Sequence, residues 1–228
     1  MTFAEMLEKL SNACGVAGKE DEVRSLMCKF LKPYADEVKE DKLGNVIAVK
    51  QGKKNAPRVM LAAHMDEIGL LVKTISKEGF LQFMKIGGID DRVLLAQKVL
   101  VCTDKGFLHG IVGSKPPHIQ KEDERKRVIT FDELFIDVGA GSQEEARKMG
   151  VRIGDPVEFD VKFAKIGKDT VIGKALDNRV GCAAMVAATL RATSVATLST
   201  GGVLAPHDDA TTARKIKAMM AIPLRADP

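Results

Sequence analysis

The chain lacks any apolar run that could cross a bilayer. None of its apolar stretches approaches the roughly 18 residues that a membrane-spanning helix needs. The N-terminal segment MTFAEMLEKL carries acidic residues and has no basic region followed by an apolar one, which is not typical of a signal peptide. We therefore expect a cytoplasmic protein with no membrane partner.

Cysteine is also scarce. The four cysteines are scattered without a C-x-x-C pair, which favours reduced thiols over disulfides or a zinc–thiolate site.

The chain has no long run of charges of one sign. The formal net charge of +4 is spread along the chain, and acidic residues interrupt the sequence just upstream of the densest basic run, at 124–128. This distribution argues against nucleic acid as a partner.

The first 69 residues have the pattern of alternating helices and strands. Thr2 and Glu5 form a capping box before an amphipathic helix, and a second helix is predicted from about Glu20 to Tyr34. Strands are predicted at 45–50 and 58–64. The second strand is almost entirely apolar, which indicates burial on both faces, as in an α/β sheet.

Residues 70–164 have a different pattern of apolar and turn residues. Short strand-like runs separated by Gly or Asp turns predict a small β-rich module, interrupted by one helix that Ser142 caps and Gly150 ends. A helix is predicted again from about Asn178 to Ala192. We therefore predict an α/β fold with an α/β domain formed by residues 1–69 and 165–228 and an inserted β-rich domain at 70–164.

The last forty residues, 189–228, have an atypical composition. They contain no Glu, although the first 188 residues contain fourteen. Their apolar residues keep neither a strand nor a helix period for long. The composition predicts a weakly structured tail, or one not selected together with the rest of the chain.

Three ionisable residues stand at the end of the predicted strand at 58–64: His64, Asp66 and Glu67. In open α/β sheets, ligands bind beyond the carboxyl ends of the strands, so His64 could offer a ring nitrogen to a metal and Asp66 could orient a nearby ligand. A second interpretation stays open: a buried His64 hydrogen-bonded in place, with Asp66 and Glu67 capping a turn.

A second candidate is Asp177, within GKALDNRVGC. It precedes a predicted helix whose small residues permit close packing. A carboxylate at this position commonly serves as an N-cap, but it could also bridge two metal ions in a hydrolase. The spacing alone leaves both interpretations open.

Together, AAHMDEIG and KALDNRVGC resemble the signatures of the M42 family of metallo-aminopeptidases, the glutamyl and deblocking aminopeptidases that include the tetrahedral TET particles. The resemblance covers about residues 2–190, and the order of segments agrees, including GSKPPHI in the β-rich insert. The resemblance gives no catalytic role to His118, and the strand-like run around His109 favours a structural role for that residue.

This resemblance implies a cytosolic two-metal exopeptidase that removes N-terminal residues from peptides. It implies a catalytic α/β domain and an inserted domain that supports homo-oligomerisation. His64 would bind one metal, Asp177 would bridge both, and Asp66 would fix the orientation of His64. The metals would be zinc or cobalt, and they would polarise the scissile carbonyl and activate a water.

The sequence departs from the family pattern after the Asp-Asn-Arg segment. The pattern requires an adjacent Glu-Glu pair there, yet no Glu follows Glu158. The pair Glu144–Glu145 precedes Asp177 and fits the first turn of a capped helix. Three ligand-capable residues of the tail match no family motif: His207, Asp208 and Asp209. A frameshift or truncation near residue 190 would account for the missing motifs and the change in composition together.

We therefore expect an incomplete catalytic domain and a weakly active or inactive chain. One alternative is a non-catalytic remnant that acts as a self-associating or partner-binding subunit. Another is a polysaccharide hydrolase, which needs two carboxylates flanking a glycosidic bond. The metal-type residues do not favour that alternative.

Overall fold

The computed structural model describes residues 1–52, 54, 58–116, 118, 122 and 126–198, with the backbone alone for 193–198. Its α-helices are α1 (Phe3–Asn12), α2 (Asp21–Leu31), α3 (Gln143–Lys148) and α4 (Leu176–Leu198). Its strands are β1 (Glu37–Glu40), β2 (Val46–Val49), β3 (Gly69–Ile75), β4 (Leu81–Ile86), β5 (Lys98–Thr103), β6 (Gly106–Ser114), β7 (Leu134–Asp137), β8 (Pro156–Phe159), β9 (Ala164–Ile166) and β10 (Thr170–Ile172).

Six antiparallel strands form a closed barrel in the order β3-β4-β7-β6-β5-β8. The barrel closes where β3 pairs with β8, with Leu70 opposite Val157. Alternate residues of the strands point inward and are buried together, including Val72, Leu81, Val99, Val101 and Ile136. The short strands predicted between about 70 and 164 thus form one barrel with its own core. Its status as an inserted domain, with borders at 69/70 and 164/165, stays a prediction.

The helices α1, α2 and α4 form a second core. Its buried residues include Leu7, Leu10, Val23, Cys182 and Val186. The predicted capping box is present, because Thr2 and Glu5 exchange side-chain to backbone hydrogen bonds. The second helix ends at Leu31, three residues before its predicted end. The chain therefore mixes helices and strands, as predicted.

The predicted strand at 58–64 is wrong. Residues 58–66 form no regular structure, and Val59 and Met60 are 80% and 87% exposed. A strand buried on both faces needs a neighbour on each side and a layer above and below it. Among the described residues, sheets outside the barrel are limited to the antiparallel pairs β1–β2 and β9–β10. The apolar segment therefore has no sheet to join.

A short parallel bridge between Val16 and Glu67 joins the helical layer to the start of the barrel. The amide of Glu67 donates to the carbonyl of Gly15 at 2.8 Å, and the amide of Ala17 donates to the carbonyl of Glu67 at 3.3 Å. Gly69 follows in close contact, because a Cβ there would lie 2.7 Å from Val16 Cγ2. These contacts fix the chain just after His64 and Asp66.

Two sequence predictions remain outside this description. The tail beyond residue 198 is not among the described residues, and neither are His207, Asp208 and Asp209. For the part of the chain that is described, no helix is both long and apolar enough to cross a membrane.

Candidate metal centre

His64 lies between two carboxylates. Its Nδ1 is 2.8 Å from Asp66 Oδ1, and its Nε2 is 3.1 Å from Asp177 Oδ1. His64 and Asp177 are 113 residues apart in sequence. The structure therefore brings together the three residues that the sequence singles out.

The His64 side chain is 54% exposed, which contradicts the interpretation of a buried structural histidine. Desolvation lowers its pKa, but the hydrogen bonds and charges of Asp66 and Asp177 outweigh it, so the pKa of His64 is raised. A metal ion that binds Nε2 must therefore displace a proton that the Asp177 carboxylate contacts.

Asp177 does not cap the helix that follows it. Asp177 and Asn178 have non-helical backbone angles, and the peptide bond between them is cis. The side-chain oxygen of Asn178 accepts a hydrogen bond from the amide of Gly181 at 3.0 Å, which is the capping contact. The Asp177 side chain is 94% exposed and its carboxylate contacts His64. The N-cap interpretation of Asp177 is therefore wrong.

A buried ionic network lies directly behind this group. Lys174 Nζ is 2.7 Å from Glu67 Oε1 and 3.0 Å from Glu158 Oε2, and Arg179 Nη2 is 3.4 Å from Glu67 Oε1. Burial raises the pKa of Glu67 and lowers that of Arg179. Glu67 therefore does not cap an exposed turn, as one sequence interpretation had it.

The network also binds the backbone at the end of α1 and just after it. Arg179 donates to the carbonyl of Leu10 at 2.5 Å, and Lys174 donates to the carbonyl of Ala13 at 2.8 Å. Glu67 adjoins Asp66 in sequence, and Arg179 lies two residues after Asp177. Both sides of the candidate site are thus anchored to the same buried charges. Sequence reasoning missed this network, although a Glu within an apolar run was a signal for it.

The donor set fits a divalent ion in type but not in number. An imidazole nitrogen and a carboxylate oxygen are common ligands of zinc and related metals. Within the described ranges, no group of three or more His, Cys, Asp or Glu side chains could hold a metal ion. A catalytic zinc site uses three protein ligands. His64 and Asp177 are therefore two candidate ligands, fewer than a catalytic site uses.

A known family of peptidases matches most of the chain. The family model described as M42 glutamyl aminopeptidase matches residues 44–201. The chain therefore belongs to the M42 family. Aminopeptidases of this family are generally dependent on divalent metals.

Curated and solved relatives support the same assignment. The chain is 44% identical over 186 residues to lysyl aminopeptidase of Pyrococcus furiosus, a match that covers 81% of this chain and 53% of the relative. A TET aminopeptidase from a marine sediment archaeon of the Thaumarchaeota is 42% identical, with a TM-score of 0.82. That match covers 85% of this chain and 55% of the other.

A third relative is the TET1 peptidase of Pyrococcus horikoshii, which can assemble into a tetrahedron or a large octahedral shell. It is 37% identical with a TM-score of 0.76, and the match covers 85% of this chain and 57% of the other. The chain spans about half the length of the relatives it matches.

Proposed function

We propose that this chain supplies His64 and Asp177 to the metal site of an aminopeptidase that removes N-terminal residues from peptides in the cytoplasm. The observation that carries the proposal is the contact between His64 Nε2 and Asp177 Oδ1 at 3.1 Å. When bound, a zinc or cobalt ion would polarise the scissile carbonyl and activate a water. His64 would bind one ion, and Asp177 would bridge two.

Asp66 acts on His64 from the opposite side of the ring. Its carboxylate accepts a hydrogen bond from Nδ1–H at 2.8 Å, which leaves the lone pair of Nε2 for a metal. Asp66 therefore selects the tautomer and fixes the plane of the imidazole. This is the role that the family resemblance assigns to it.

Metal titration of the full chain tests the proposal. We expect His64→Ala and Asp177→Ala to lower cobalt affinity by about tenfold or more, and Asp66→Asn to lower it about 10–100-fold through the misoriented ring. Isothermal titration and the visible spectrum of bound cobalt measure both effects. His109→Ala is the matched control, because His109 is an exposed histidine on the barrel strand β6. Unchanged affinity in both donor variants would refute the assignment.

A second candidate function is self-association as a non-catalytic subunit. Val59 and Met60 expose apolar side chains on a segment without regular structure that pairs with no described strand. Such a segment can bury its side chains and pair its backbone against another chain. We propose a second copy of this chain as that partner, because relatives of similar fold assemble into shells.

Analytical ultracentrifugation tests this second candidate. We expect the chain to sediment as an oligomer at micromolar concentration, because association buries the apolar segment. Val59→Lys combined with Met60→Lys should shift it towards the monomer. Leu43→Lys is the control, because Leu43 is 89% exposed in the turn before β2. A wild-type chain that sediments as a clean monomer would rule the candidate out.

A further inference from the structure

Two cysteines meet where the helical layer contacts the barrel. Cys14 lies in the loop after α1, and Cys102 lies in β5, 88 residues further along the chain. Their sulfur atoms are 3.3 Å apart, and both cysteines are free thiols. A disulfide bond has a length of about 2.05 Å, so the two atoms need to approach by only about 1.3 Å.

The pair is accessible from one side. Both cysteines line a cavity of about 440 Å³ that opens between the loop after α1 and the barrel. Four acidic residues also line the cavity: Asp21 and Glu22 of α2, and Asp104 and Asp155 from loops of the barrel. A small oxidant can therefore reach thiols that are otherwise packed into the fold.

The backbone holds both residues in position. The amide of Cys14 donates to Glu22 Oε2 at 3.0 Å. Cys102 is paired with Phe107 in the β5–β6 ladder. The contact with Cys14 and burial raise the pKa of the Cys102 thiol. The two sulfur atoms therefore face each other on elements whose backbones are fixed independently.

We propose that Cys14 and Cys102 form a redox-active dithiol site that low-molecular-weight disulfides convert to an intramolecular disulfide. One cysteine thiolate attacks a sulfur of the small disulfide, and the first small thiolate leaves. The second cysteine loses its proton, and its thiolate attacks the sulfur of the first cysteine in the mixed disulfide and displaces the second small thiolate. Overall, two protein thiols are oxidised, and one small disulfide is reduced to two thiols.

The bond would join the loop after α1 covalently to the barrel. The neighbours of Cys14 already contact the buried network, because Ala13 accepts from Lys174 and Gly15 accepts from the amide of Glu67. Oxidation would therefore fix the same loop that supports Glu67, next to Asp66. This site is separate from the proposed metal donors, and its test needs no enzyme activity.

Peptide mapping of the full chain after equilibration with oxidised glutathione tests the proposal. We expect one linked peptide containing Cys14 and Cys102, while Cys28 and Cys182 remain available to alkylation after denaturation. The oxidised chain should melt about 5–15 °C higher than the reduced chain, because the bond closes a long loop of the unfolded state. Dithiothreitol should reverse the increase.

Single substitutions test whether the cross-link requires Cys14 and Cys102 and no other cysteine. Cys14→Ser and Cys102→Ser should each abolish the cross-link and the increase in melting temperature, whereas Cys28→Ser should keep both. The wild-type map decides the matter even if one of these variants folds poorly. Glutathione that remains on a single cysteine, a link through Cys28 between two chains, or a cross-link that lowers the melting temperature would each overturn the proposal.

Discussion

The purified chain, supplied with zinc or cobalt, is expected to hydrolyse aminoacyl-anilide substrates at a very low rate. General base catalysis is worth about 10²–10⁴ in rate, and no Glu follows Asp177 to serve as the base. The described residues also offer two metal donors where a catalytic site uses three protein ligands. Both deficits would weaken the activation of the water that a bound metal would supply to the proposed reaction.

A full-length relative assayed in parallel provides the reference rate for this experiment. Lysyl aminopeptidase of Pyrococcus furiosus is suitable, because it is 44% identical to this chain over the matched region. Robust hydrolysis by this chain, dependent on metal and abolished by Asp177→Ala, would contradict the prediction. It would show that residues outside the described part, such as His207, Asp208 or Asp209, complete the site.

Arg179→Ala is expected to lower the free energy of unfolding by roughly 3–5 kcal/mol, because it leaves a single buried cation, Lys174, beside the two buried carboxylates of Glu67 and Glu158. The Arg179 side chain is fully buried, 3.4 Å from Glu67 Oε1. The carbonyl of Leu10 would also lose its guanidinium donor. Lys174 would remain beside Glu67, but it cannot fill the volume that the guanidinium leaves.

Urea denaturation measures this loss. Arg147→Ala is the matched control, because Arg147 lies exposed in the last turn of α3 and should change stability by no more than about 0.5 kcal/mol. The loss of unfolding free energy in Arg179→Lys should lie between those of Arg179→Ala and Arg147→Ala, because Lys keeps the charge but lacks the forked guanidinium geometry. A loss below about 1 kcal/mol for Arg179→Ala would show that the network contributes little to the fold.

Local signals in the sequence predicted the local structure. The capping box at Thr2 and Glu5 marked the start of α1, and Ser142 marked the start of α3. Turns between short apolar runs marked the strands of the barrel. These features depend on residues within one turn or one hairpin, so they can be predicted without knowing which distant segments pair.

Contacts between segments distant in sequence could not be predicted in the same way. The segment 58–66 has the composition of a central strand, but its conformation depends on strands that it must pair with. Glu67 and Arg179 are 112 residues apart, and no period or spacing links them. Asp177 had two local interpretations, and only the capping contact of Asn178 decided against one of them. The family resemblance and the expected topology of an α/β sheet, not the spacing, indicated that His64 and Asp177 would meet.

The closure of the barrel has a consequence for the order of folding. All six barrel strands lie between Gly69 and Phe159, so during synthesis the barrel can form before α4 emerges from the ribosome. Once β3 pairs with β8, the chain on either side of the barrel is brought together. His64 and Asp177 are then separated by a short effective loop instead of 113 residues, which lowers the entropy cost of their meeting. Closure of the barrel thereby brings Asp177 close to His64, the other residue of the candidate site.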